Sequence, residues 1–454
     1  MARLTIHPLQ AYRRARRTGQ LQASPPAVLA GSFVALILLG TALLSMPAAQ
    51  ARPIGVFQAL FTAASAVTVT GLMVIDPVRD LTALGQGIVL ALVQVGGIGF
   101  VTFAIIASLT LGKRVSLKYQ ALALEAFNQT SVARIRQTAL TVLKFSLAIE
   151  GAAILILTLW WWRHDSLGHA FLMAGFHVVS AFNNAGITLF SDSLTSFTGD
   201  PVTTFVLTGC IVLGGLGFSV LADIYHKRAW RTLGYYTRLM LIGTGVLNLC
   251  ALALFWLIES HNPATLASLP LPSQGLASWT QVVSARTAGF ASMDVEQLRD
   301  SSRFLLAALM FIGGGSLSTA SGIKLGTFII LLAVVRAYVL QRKDVVLMRR
   351  TVAPEAIHKA LALLMVSGLL VCVGIFLLSL LESQPFMAIL MEVISAFSTT
   401  GLSPDLTPTL SVPGQTLLML LMFIGRLGPL TLVYSLGTQR HSRVRYPEAS
   451  IQIG

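Results

Sequence analysis

The segment Ser65-Ala66-Val67-Thr68-Val69-Thr70-Gly71 is repeated, with changes, three more times along the chain. The later copies are Ser180-Ala181-Phe182-Asn183-Asn184-Ala185-Gly186, Ser284-Ala285-Arg286-Thr287-Ala288-Gly289 and Ser395-Ala396-Phe397-Ser398-Thr399-Thr400-Gly401. The final glycines are therefore 115, 103 and 112 residues apart, and the third copy is one residue shorter than the others. A long and nearly constant period indicates that the chain is built from four copies of one structural unit.

Each copy follows an apolar run too short to cross a bilayer and precedes a run long enough to do so. A short apolar helix that ends in a loop of small polar residues and glycine is typical of a re-entrant segment. Such a loop persists at membrane depth only where protein surrounds it or where it lines a watery cavity. Because four such loops can converge on one axis, the sequence predicts a pore.

The composition places the chain in the membrane. It has 454 residues, of which 55% are hydrophobic and only 11% are charged, against roughly 25% charged residues in a soluble domain. We therefore expect an all-α polytopic membrane protein. The basic N-terminal segment has no apolar core, so no cleavable signal peptide is expected. The three cysteines lie in apolar segments without metal-ligand spacing and are predicted to be core residues: Cys210, Cys250 and Cys372.

The net charge of +14 is distributed unevenly along the chain. Most Lys and Arg residues fall at the two ends and in alternate loops, namely 1–17, 113–136, 227–238, 336–359 and 440–445. This positive-inside bias predicts that both termini are cytoplasmic and argues against a nucleic-acid partner. We expect the chain to lie in a bacterial cytoplasmic membrane. The acids lean to the opposite loops, among them Asp294, Glu296 and Asp405. They form either an acidic vestibule that concentrates cations or ordinary solvated loops.

We expect each repeat to contain a spanning helix, a short pore helix, a filter loop and a second spanning helix. Eight spanning segments and four re-entrant hairpins would then surround one pore with quasi-fourfold symmetry. The predicted second helices are 82–111, 202–223, 302–340 and 413–437. The predicted divisions of the chain are a tail at 1–26, repeat 1 at 27–111, a cytoplasmic linker at 112–138, repeat 2 at 139–225, repeat 3 at 226–340, repeat 4 at 341–437 and a tail at 438–454.

Glycine clusters recur in the second helices, 24 to 28 residues after each filter glycine. They are Gly96-Gly97-Ile98-Gly99, Gly214-Gly215-Leu216-Gly217, Gly313-Gly314-Gly315 and Gly425-Arg426-Leu427-Gly428. Close helix packing is the simplest interpretation. The third cluster continues through Ser316, Leu317, Ser318, Thr319, Ala320 and Ser321 to Gly322, a stretch of low helix propensity that predicts a break within the membrane. Such a flexible segment is either a gate below the filter or a static kink.

Ionisable residues inside apolar segments need an explanation, since they are costly there. Arg426 is predicted to face the pore, where it would oppose cations, swing aside or pair with the gate segment. Glu392 and Arg286 are expected to pair with each other or to cap backbone groups. Lys144 is near enough to a helix end to reach the interface. His177, on the second pore helix, is interpreted as a packing residue or a hydrogen-bond partner.

The four loops have the composition needed to bind a dehydrated cation. The C-terminal ends of the pore helices would present the negative ends of their dipoles to the axis. Backbone carbonyls would then replace the water around the ion, as in potassium channels. One glycine per loop, where those channels carry two, predicts fewer carbonyl rings and weaker or narrower selectivity. The predicted filter residues for K+ are Val69, Thr70, Gly71, Asn184, Ala185, Gly186, Thr287, Ala288, Gly289, Thr399, Thr400 and Gly401.

Over nearly its whole length the chain resembles the Trk/Ktr/HKT superfamily of potassium transporters, and it is most similar to the Ktr type of membrane subunit. The segments that carry this resemblance are 284–290, 397–403, 425–430, 318–324 and the tail 446–454. With one spanning helix before the first filter, the chain lacks the additional N-terminal pair of the Trk type.

The resemblance implies several properties of the protein. These are a homodimer with one pore per protomer and a dimer contact through the tail, a cytosolic ring of Rossmann-type subunits that binds ATP or ADP, and potassium uptake stimulated by sodium. It also implies potassium coordination at the filter residues named above. Gly71 resembles the potassium-preferring members, since those that admit sodium tend to carry serine there. The second loop, Asn183-Asn184-Ala185, departs from the threonine-rich pattern and puts the symmetry of coordination in question.

Two other functional classes were weighed against a channel-like pore. An enzyme is not expected, because the chain contains no phosphate-binding Gly-x-x-x-x-Gly-Lys-Ser/Thr or Gly-x-Gly-x-x-Gly motif and no nucleophile elbow or zinc-binding helix motif. No cofactor is predicted for this chain apart from transported K+ and sodium as an activator. The remaining alternative is an alternating-access Na+/K+ or H+/K+ symporter. Four parallel repeats suit a pore better than two rocking halves.

Overall fold

The structure is a computed structural model that describes residues 25–98 and 132–428, with side chains described for 30–98 and 141–428. The described residues are mostly helical. The helices of the first half are α1 Pro25–Leu44, α2 Val56–Thr68, α3 Ala83–Gly97, α4 Val132–Trp161, α5 Leu167–Phe182, α6 Pro201–Leu216 and α7 Phe218–Lys227. Those of the second half are α8 Tyr235–Glu259, α9 Leu271–Ser284, α10 Asp300–Phe311, α11 Leu325–Val339, α12 Pro354–Leu381, α13 Phe386–Ser398 and α14 Val412–Leu427.

Short elements occupy the connections between these helices. A single helical turn spans Pro77–Asp80, and 3₁₀ turns span Pro47–Ala49, Thr195–Phe197, Trp230–Thr232, Leu266–Ser268 and Thr407–Thr409. A two-stranded antiparallel hairpin, β1 Val346–Leu347 and β2 Arg350–Thr351, lies between α11 and α12. The hydroxyl of Tyr235 donates to the carbonyl of Leu347, which ties this hairpin to the start of α8.

The four pore helices α2, α5, α9 and α13 form the centre of the molecule. The sequence predicts these helices at 56–67, 169–182, 275–284 and 385–397. They start with Val56, Leu167, Leu271 and Phe386, within four residues of the predicted starts, and each ends within one residue of its predicted end. Their C-terminal halves are buried, and four hydrophobic clusters surround them, one for each repeat. Burial of polar helix ends such as Ser65 and Thr68 among protein is what a re-entrant segment needs at membrane depth.

Contacts between repeats close into a ring. The second helix of each repeat packs against the pore helix of the next: α3 on α5, α6 on α9, α10 on α13, and α14 on α2. The last of these contacts joins the fourth repeat to the first. The arrangement of four repeats around one axis, predicted from the repeated segment, is therefore confirmed.

Three described helices are each long and apolar enough to cross a membrane: α4 over Thr141–Trp161, α8 and α12. The bent pair α6 and α7 would make a fourth span, and the remaining apolar helices have 10–17 residues. Large apolar side chains such as Leu155, Leu249 and Met365 are exposed on these three long helices. Exposed apolar faces of this kind are where lipid replaces protein as the packing partner.

The second helices differ from the sequence expectation. A break was predicted only in repeat 3, but the helix predicted at 202–223 also breaks, with a 99° bend at Gly217 between α6 and α7. In repeats 1 and 4 the helices end at Gly97 and Leu427, and the rest of their predicted lengths lies outside the described residues. The physical reason is a glycine at the equivalent place: Gly217 and Gly428 have φ values of 101° and 85°, which no α-helix accommodates.

The cysteine prediction is right for one residue and wrong for two. Cys210 is buried on α6, whereas Cys250 and Cys372 are exposed. The latter two lie on α8 and α12, whose apolar outer faces are not covered by other described parts of the chain. In a membrane protein an apolar residue can face lipid as readily as a core, so hydropathy alone does not distinguish the two positions.

Candidate functional site

Each filter loop begins where a pore helix ends, and all four take the same backbone conformation. The residue two before the glycine and the glycine itself both have positive φ. These residues are Val69 (57°) and Gly71 (89°), Asn184 (59°) and Gly186 (66°), Thr287 (70°) and Gly289 (83°), and Thr399 (48°) and Gly401 (91°). The unusual second loop therefore keeps the backbone of the others, with Asn184 in the left-handed conformation that asparagine tolerates well. The loss of threonines there does not break the symmetry of the main chain.

The four glycines lie against one another around the axis. A methyl group on Gly71 would lie 2.1 Å from the carbonyl oxygen of Ala185 in the next repeat. A methyl group on Gly186 would lie 2.5 Å from the oxygen of Ala288, one on Gly289 would lie 2.2 Å from that of Thr400, and one on Gly401 would lie 2.2 Å from that of Thr70. Each contact runs from one repeat to the next, and the fourth returns to the first. The loops thus meet in a closed ring that only glycine can form.

Backbone hydrogen bonds hold every loop to its pore helix. The N–H groups of Thr70, Ala185, Gly289 and Thr400 donate to the carbonyls of Ser65, Ser180, Ser284 and Ser395, at 2.9, 2.8, 3.2 and 2.9 Å. These bonds use carbonyls that the last turn of a helix would otherwise leave unpaired. In the third copy, which is one residue shorter, the N–H of Ala288 also donates to the carbonyl of Ser284, at 2.8 Å, so two successive residues share this acceptor.

Side-chain contacts divide the loops into two pairs. In loops 1 and 4 the hydroxyls of Ser65 and Ser395 accept from the N–H of Gly71 and Gly401, both at 3.0 Å. Within the part of the chain that the structure describes, the equivalent hydroxyls of loops 2 and 3, on Ser180 and Ser284, have no partner.

Arg286 and Glu392 are both buried but do not pair with each other. Arg286 donates to the side-chain oxygen of Asn248 at 3.2 Å and to the carbonyl of Gly313 at 3.1 Å. Glu392 accepts from the hydroxyl of Ser403 at 2.7 Å and from that of Thr407. The pairing prediction is wrong and the capping alternative is right for Arg286, because each charge finds polar groups in its own repeat.

The glycine clusters of the second helices pack against the pore helices. A methyl group on Gly96, Gly214 or Gly425 would lie 2.1, 1.9 or 1.8 Å from the carbonyl oxygen of Val67, Phe182 or Phe397 respectively. These three acceptors occupy equivalent positions, two residues after the serine of each repeated segment. The packing interpretation accounts for these clusters. Gly313 differs, since its nearest contact is the carbonyl of Ser321 across the interrupted third helix.

The segment 313–322 is irregular backbone between α10 and α11. It is bonded to the break in the second helix of repeat 2: Gly315 N–H donates to the carbonyl of Gly215 at 2.7 Å, and Phe218 N–H donates to that of Leu317 at 2.9 Å. Thr319 donates its hydroxyl to the carbonyl of Phe182, at the end of the second pore helix, at 3.1 Å. The segment therefore connects repeat 3 to repeat 2.

Arg426 joins this segment to repeat 1. One guanidinium nitrogen donates to the carbonyl of Thr319, and the other donates to the carbonyls of Gly96 and Gly97 at 2.8 and 3.1 Å. The last two acceptors end helix α3, where the dipole favours a cation. All four repeats are thus connected in one layer. Lys324 lies in the same layer and donates to the carbonyl of Ala320 at 2.6 Å.

The remaining predicted residues have structural surroundings. His177 hydrogen-bonds through Nδ1 to the carbonyl of Met173 at 2.7 Å, accepts from the N–H of Leu189, and stacks on Phe190. Its assignment as a packing and hydrogen-bonding residue is confirmed. Lys144 is exposed on α4.

Acidic side chains of the loops after the third and fourth filters lie near one another. Partial desolvation, together with the charges of Asp294 and Glu296, raises the pKa of Asp405 above its ordinary value. Three carboxylates therefore share one field close to the loops, which favours the vestibule interpretation over isolated solvated acids.

One group of buried polar residues was missed from the sequence. Glu150 on α4 is 3% exposed and accepts from the side-chain amide of Gln94, which in turn accepts from that of Asn183 beside the second filter loop. The signal was available, since Glu150 is a carboxylate within an apolar run. Its partners could not be known before the repeats were placed together.

Comparisons with known proteins agree with this geometry. Residues 2–438 match the family model of TrkH, a cation transport protein. The chain is similar to Ktr system potassium uptake protein B of Bacillus subtilis (strain 168), with 42% identity over 95% of this chain and 97% of the relative. It is also similar to the protein of the same name from Vibrio alginolyticus, with 40% identity over 94% of this chain and 95% of the relative.

Two further similarities extend this relationship. The potassium/sodium uptake protein NtpJ of Enterococcus hirae is 32% identical over 95% of this chain and 97% of its own length. The crystal structure of the potassium transporter TrkH from Vibrio parahaemolyticus superimposes with a TM-score of 0.73 at 17% identity, covering 92% of this chain and 86% of that one. This similarity concerns the fold alone. The four repeated loops, their closed ring and the match of the family model together show that the chain belongs to the TrkH family of cation transport proteins.

Proposed function

We propose that the protein is the pore-forming membrane subunit of a potassium uptake system. The observation that carries this proposal is the closed ring of four loops at Gly71, Gly186, Gly289 and Gly401, each within contact distance of the next. Relatives named for potassium uptake, at 40% and 42% identity, support K+ as the transported ion. A ring of four parallel repeats favours passage through a fixed pore over the rocking of two halves.

The alternation of φ along each loop supports carbonyl coordination of the ion. Successive residues with opposite signs of φ, as at Thr70 and Gly71, can direct their carbonyls to the same side of the chain. We infer that the four triplets ending in glycine, 69–71, 184–186, 287–289 and 399–401, bind a dehydrated K+ in this way. Because each triplet has one glycine, we expect few stacked rings and moderate selectivity.

We propose that the segment 313–322 and Arg426 form the gate. Supporting this, the segment bonds to repeat 2 while Arg426 bonds to repeat 1 and to the segment itself. A guanidinium in this layer would also repel an entering cation. Opening would require the bonds of Arg426 to be exchanged for others, and the glycines at both ends of the segment allow such movement.

The partner and activator proposals come from the resemblance of the chain to Ktr-type subunits. We propose a homodimer that contacts itself through the tail 446–454, which lies outside the described residues, and a cytosolic ring that binds ATP or ADP. Both termini would be cytoplasmic, as the distribution of Lys and Arg indicates. Sodium is proposed as an activator; a relative named for potassium/sodium uptake supports a role for sodium in this family.

Gly71→Ser tests the filter. With φ at 89° and the oxygen of Ala185 at 2.1 Å from the new Cβ, serine must displace the adjoining carbonyl. We expect uptake to continue while the preference for K+ over Na+ falls about tenfold, the effect of losing roughly one good ion–carbonyl interaction. The measurement is K+ and Na+ uptake, and growth at low K+, in a bacterial strain without its own potassium uptake.

Gly87→Ser is the matched control, because no atom lies within 4 Å of the corresponding methyl position on α3. Gly87→Ser should keep the preference of the parent protein for K+ over Na+. An unchanged preference in Gly71→Ser would argue against the filter. Uptake that saturates with a fixed Na+ or H+ stoichiometry, and does not follow voltage as a conductance does, would favour a symporter.

Arg426→Gln tests the gate. The substitution removes the charge and the bonds that tie the segment 313–322 to repeat 1, so we expect K+ flux to rise several-fold and to depend less on regulation. The measurement is the initial rate of Rb+ influx into vesicles that contain the purified protein. Arg336→Gln, an exposed arginine on α11, is the control and should behave as the parent. Equal flux in both variants would contradict the gate.

A further inference from the structure

In loops 1, 2 and 4 the residue three positions before the filter glycine makes a side-chain hydrogen bond that distinguishes how the loop is held. In loops 1 and 4 its hydroxyl bonds to the hydroxyl of the residue just before the glycine: Thr68 to Thr70 at 2.8 Å, and Ser398 to Thr400 at 3.0 Å. We call this contact the internal latch. It lies wholly within the loop and needs a hydroxyl at both positions.

Loop 2 cannot form the internal latch, because Ala185 stands where Thr70 stands in loop 1. The hydroxyl of Ser180 also has no partner among the described residues, so the serine contact of loops 1 and 4 is missing as well. Asn183, the equivalent of Thr68, reaches out of the loop instead. Its amide donates to the side-chain oxygen of Gln94 at 2.6 Å. The same amide also donates to the carbonyl of Val179 on the second pore helix at 2.9 Å, so Asn183 ties loop 2 both to its own pore helix and to repeat 1.

Gln94 is itself held by a carboxylate. Its amide nitrogen donates to both oxygens of Glu150, at 3.0 and 3.2 Å, and Asn183 lies 3.4 Å from one of them. The three residues come from α3, α4 and the end of α5, so the network joins repeat 1 to repeat 2. Gly97 makes room for it, since a methyl group there would lie 2.0 Å from the amide oxygen of Asn183.

The carboxylate gives this network a direction. Both oxygens of the Glu150 carboxyl group accept from Gln94, whose nitrogen therefore faces Glu150 while its oxygen faces Asn183. A carboxyl group that accepts at both oxygens fixes this orientation. An amide at position 150 could accept or donate, and Gln94 would then have two orientations of similar energy. No ion pair to Glu150 occurs among the described residues. Balancing a positive charge is therefore not what the carboxylate does here.

We propose that Glu150 is a positioning residue for the second filter loop: through Gln94 it orients Asn183 and so holds the carbonyl of Ala185 against Gly71. This inference rests on the proposed filter. It assigns to an outer helix of repeat 2 a share in ion discrimination, and it explains why the least threonine-rich loop keeps the backbone of the other three.

Glu150→Gln in the full chain is the first test, with K+ and Na+ uptake measured in cells that lack their own potassium uptake. We expect the ratio of K+ to Na+ uptake to fall about tenfold, the scale of one charge-assisted hydrogen bond, with K+ uptake retained. Glu259→Gln is the matched control. That carboxylate is also fully buried, but it accepts from Asn262, Thr265 and Arg299 in an outer loop, so the ratio should not change.

The double variant Glu150→Gln with Gln94→Glu, called the exchanged pair, tests whether ion discrimination can be restored. In the exchanged pair the new carboxylate at position 94 accepts from the new amide at position 150 and from Asn183. Asn183 is then anchored again, and the ratio should return to within about twofold of the parent. A merely structural role for buried charge predicts no such recovery of discrimination. If Glu150→Gln does not accumulate in the membrane, the exchanged pair alone decides the question.

The inference would be overturned if the exchanged pair discriminates between K+ and Na+ as poorly as Gly71→Ser. It would also be overturned if Glu150→Gln keeps the K+ to Na+ uptake ratio of the parent. If Gly71→Ser lowers the ratio and Glu150→Gln does not, only the role of Glu150 fails. If neither substitution lowers it, the filter proposal fails first.

Discussion

The serine that starts each repeated segment shows how one residue type serves two purposes. Ser65 and Ser395 accept from the N–H of a filter glycine, whereas the hydroxyls of Ser180 and Ser284 bond to nothing else described. All four are buried at the ends of pore helices. The serine hydroxyl therefore holds the filter glycine in two repeats and makes no such bond in the other two.

This difference predicts unequal effects of one substitution. Ser65→Ala leaves the N–H of Gly71 without its acceptor, so we expect a loss of about 1 kcal/mol in the free energy of unfolding and a lower K+ preference. Ser180→Ala should change stability by less than about 0.5 kcal/mol. Thermal unfolding of the purified variants, with the uptake ratio as a second readout, makes the comparison. Equal losses in both variants would mean that the hydroxyl bond of loop 1 does not matter.

At the scale of the element, the second helices are shaped by where glycine permits contact. Gly214 on α6 lies against the end of the second pore helix, while Gly209, earlier on the same helix, has no neighbour within 4 Å of its methyl position. The helix then breaks at Gly217. The close approach of α6 to the carbonyl of Phe182 therefore depends on Gly214 alone and not on the number of glycines in α6.

Alanine substitutions on α6 separate these roles. In Gly214→Ala the new methyl would lie 1.9 Å from the carbonyl of Phe182 and 2.9 Å from the hydroxyl of Thr319, so we expect a loss of about 1–3 kcal/mol through overpacking. Gly209→Ala should be neutral or stabilise by up to about 1 kcal/mol, because alanine favours the helix. Unfolding of both variants in the same detergent is the measurement. A tolerated Gly214→Ala would show that α6 can move away from the pore helix at little cost.

At the scale of the whole molecule, charge is arranged along the axis. Asp294, Glu296 and Asp405 lie together near the loops on the proposed outer side, and Arg426 and Lys324 lie in the layer beneath. A cation approaching from the acidic side is attracted before it reaches the filter. In the proposed gate, the positive charges of Arg426 and Lys324 would then oppose the cation until the segment 313–322 moves. This polarity follows from contacts between repeats 3, 4 and 1.

Asp405→Asn tests the acidic field. Removing one of three carboxylates should raise the K+ concentration for half-maximal uptake about twofold at low ionic strength, and high ionic strength should abolish the difference. Asp344→Asn also removes one negative charge, but on the proposed cytoplasmic side. It should leave the K+ concentration for half-maximal uptake unaltered. An effect that persists in high salt would mean that Asp405 binds the ion directly.

The effect of Asp405→Asn on the free energy of unfolding should depend on pH. The pKa of Asp405 is higher in the folded protein than in the unfolded chain. Ionisation of this carboxyl group therefore lowers the free energy of unfolding, whereas the protonated form leaves it unchanged. Asp405→Asn should therefore match the parent below the ordinary pKa of aspartate and exceed its stability above the raised value. Thermal unfolding at about pH 3 and about pH 7, on either side of that interval, measures this. A variant less stable than the parent at neutral pH would contradict it.

Much of the architecture could be predicted because it depends on local pattern. The repeated segment ending in Gly71, Gly186, Gly289 and Gly401 and the short apolar runs before it predicted four pore helices, since hydropathy and turn chemistry act within a few residues. The break at 313–322 was visible for the same reason. The break at Gly217 was not predicted, because the cluster Gly214-Gly215-Leu216-Gly217 in an apolar run is also compatible with a continuous, closely packed helix until a neighbour takes up the released backbone groups.

Other properties depend on which surfaces the repeats bring together, and no local pattern contains them. The sequence by itself determined the fourfold repeat, the re-entrant loops and the membrane setting. Only the tertiary structure decided that Arg426 bonds to repeat 1 and to the segment 313–322, that Arg286 and Glu392 stay apart, and that Glu150 reaches Asn183 through Gln94. The physical reason is that a buried polar group must find a partner, but the partner is set by packing between segments far apart in the chain.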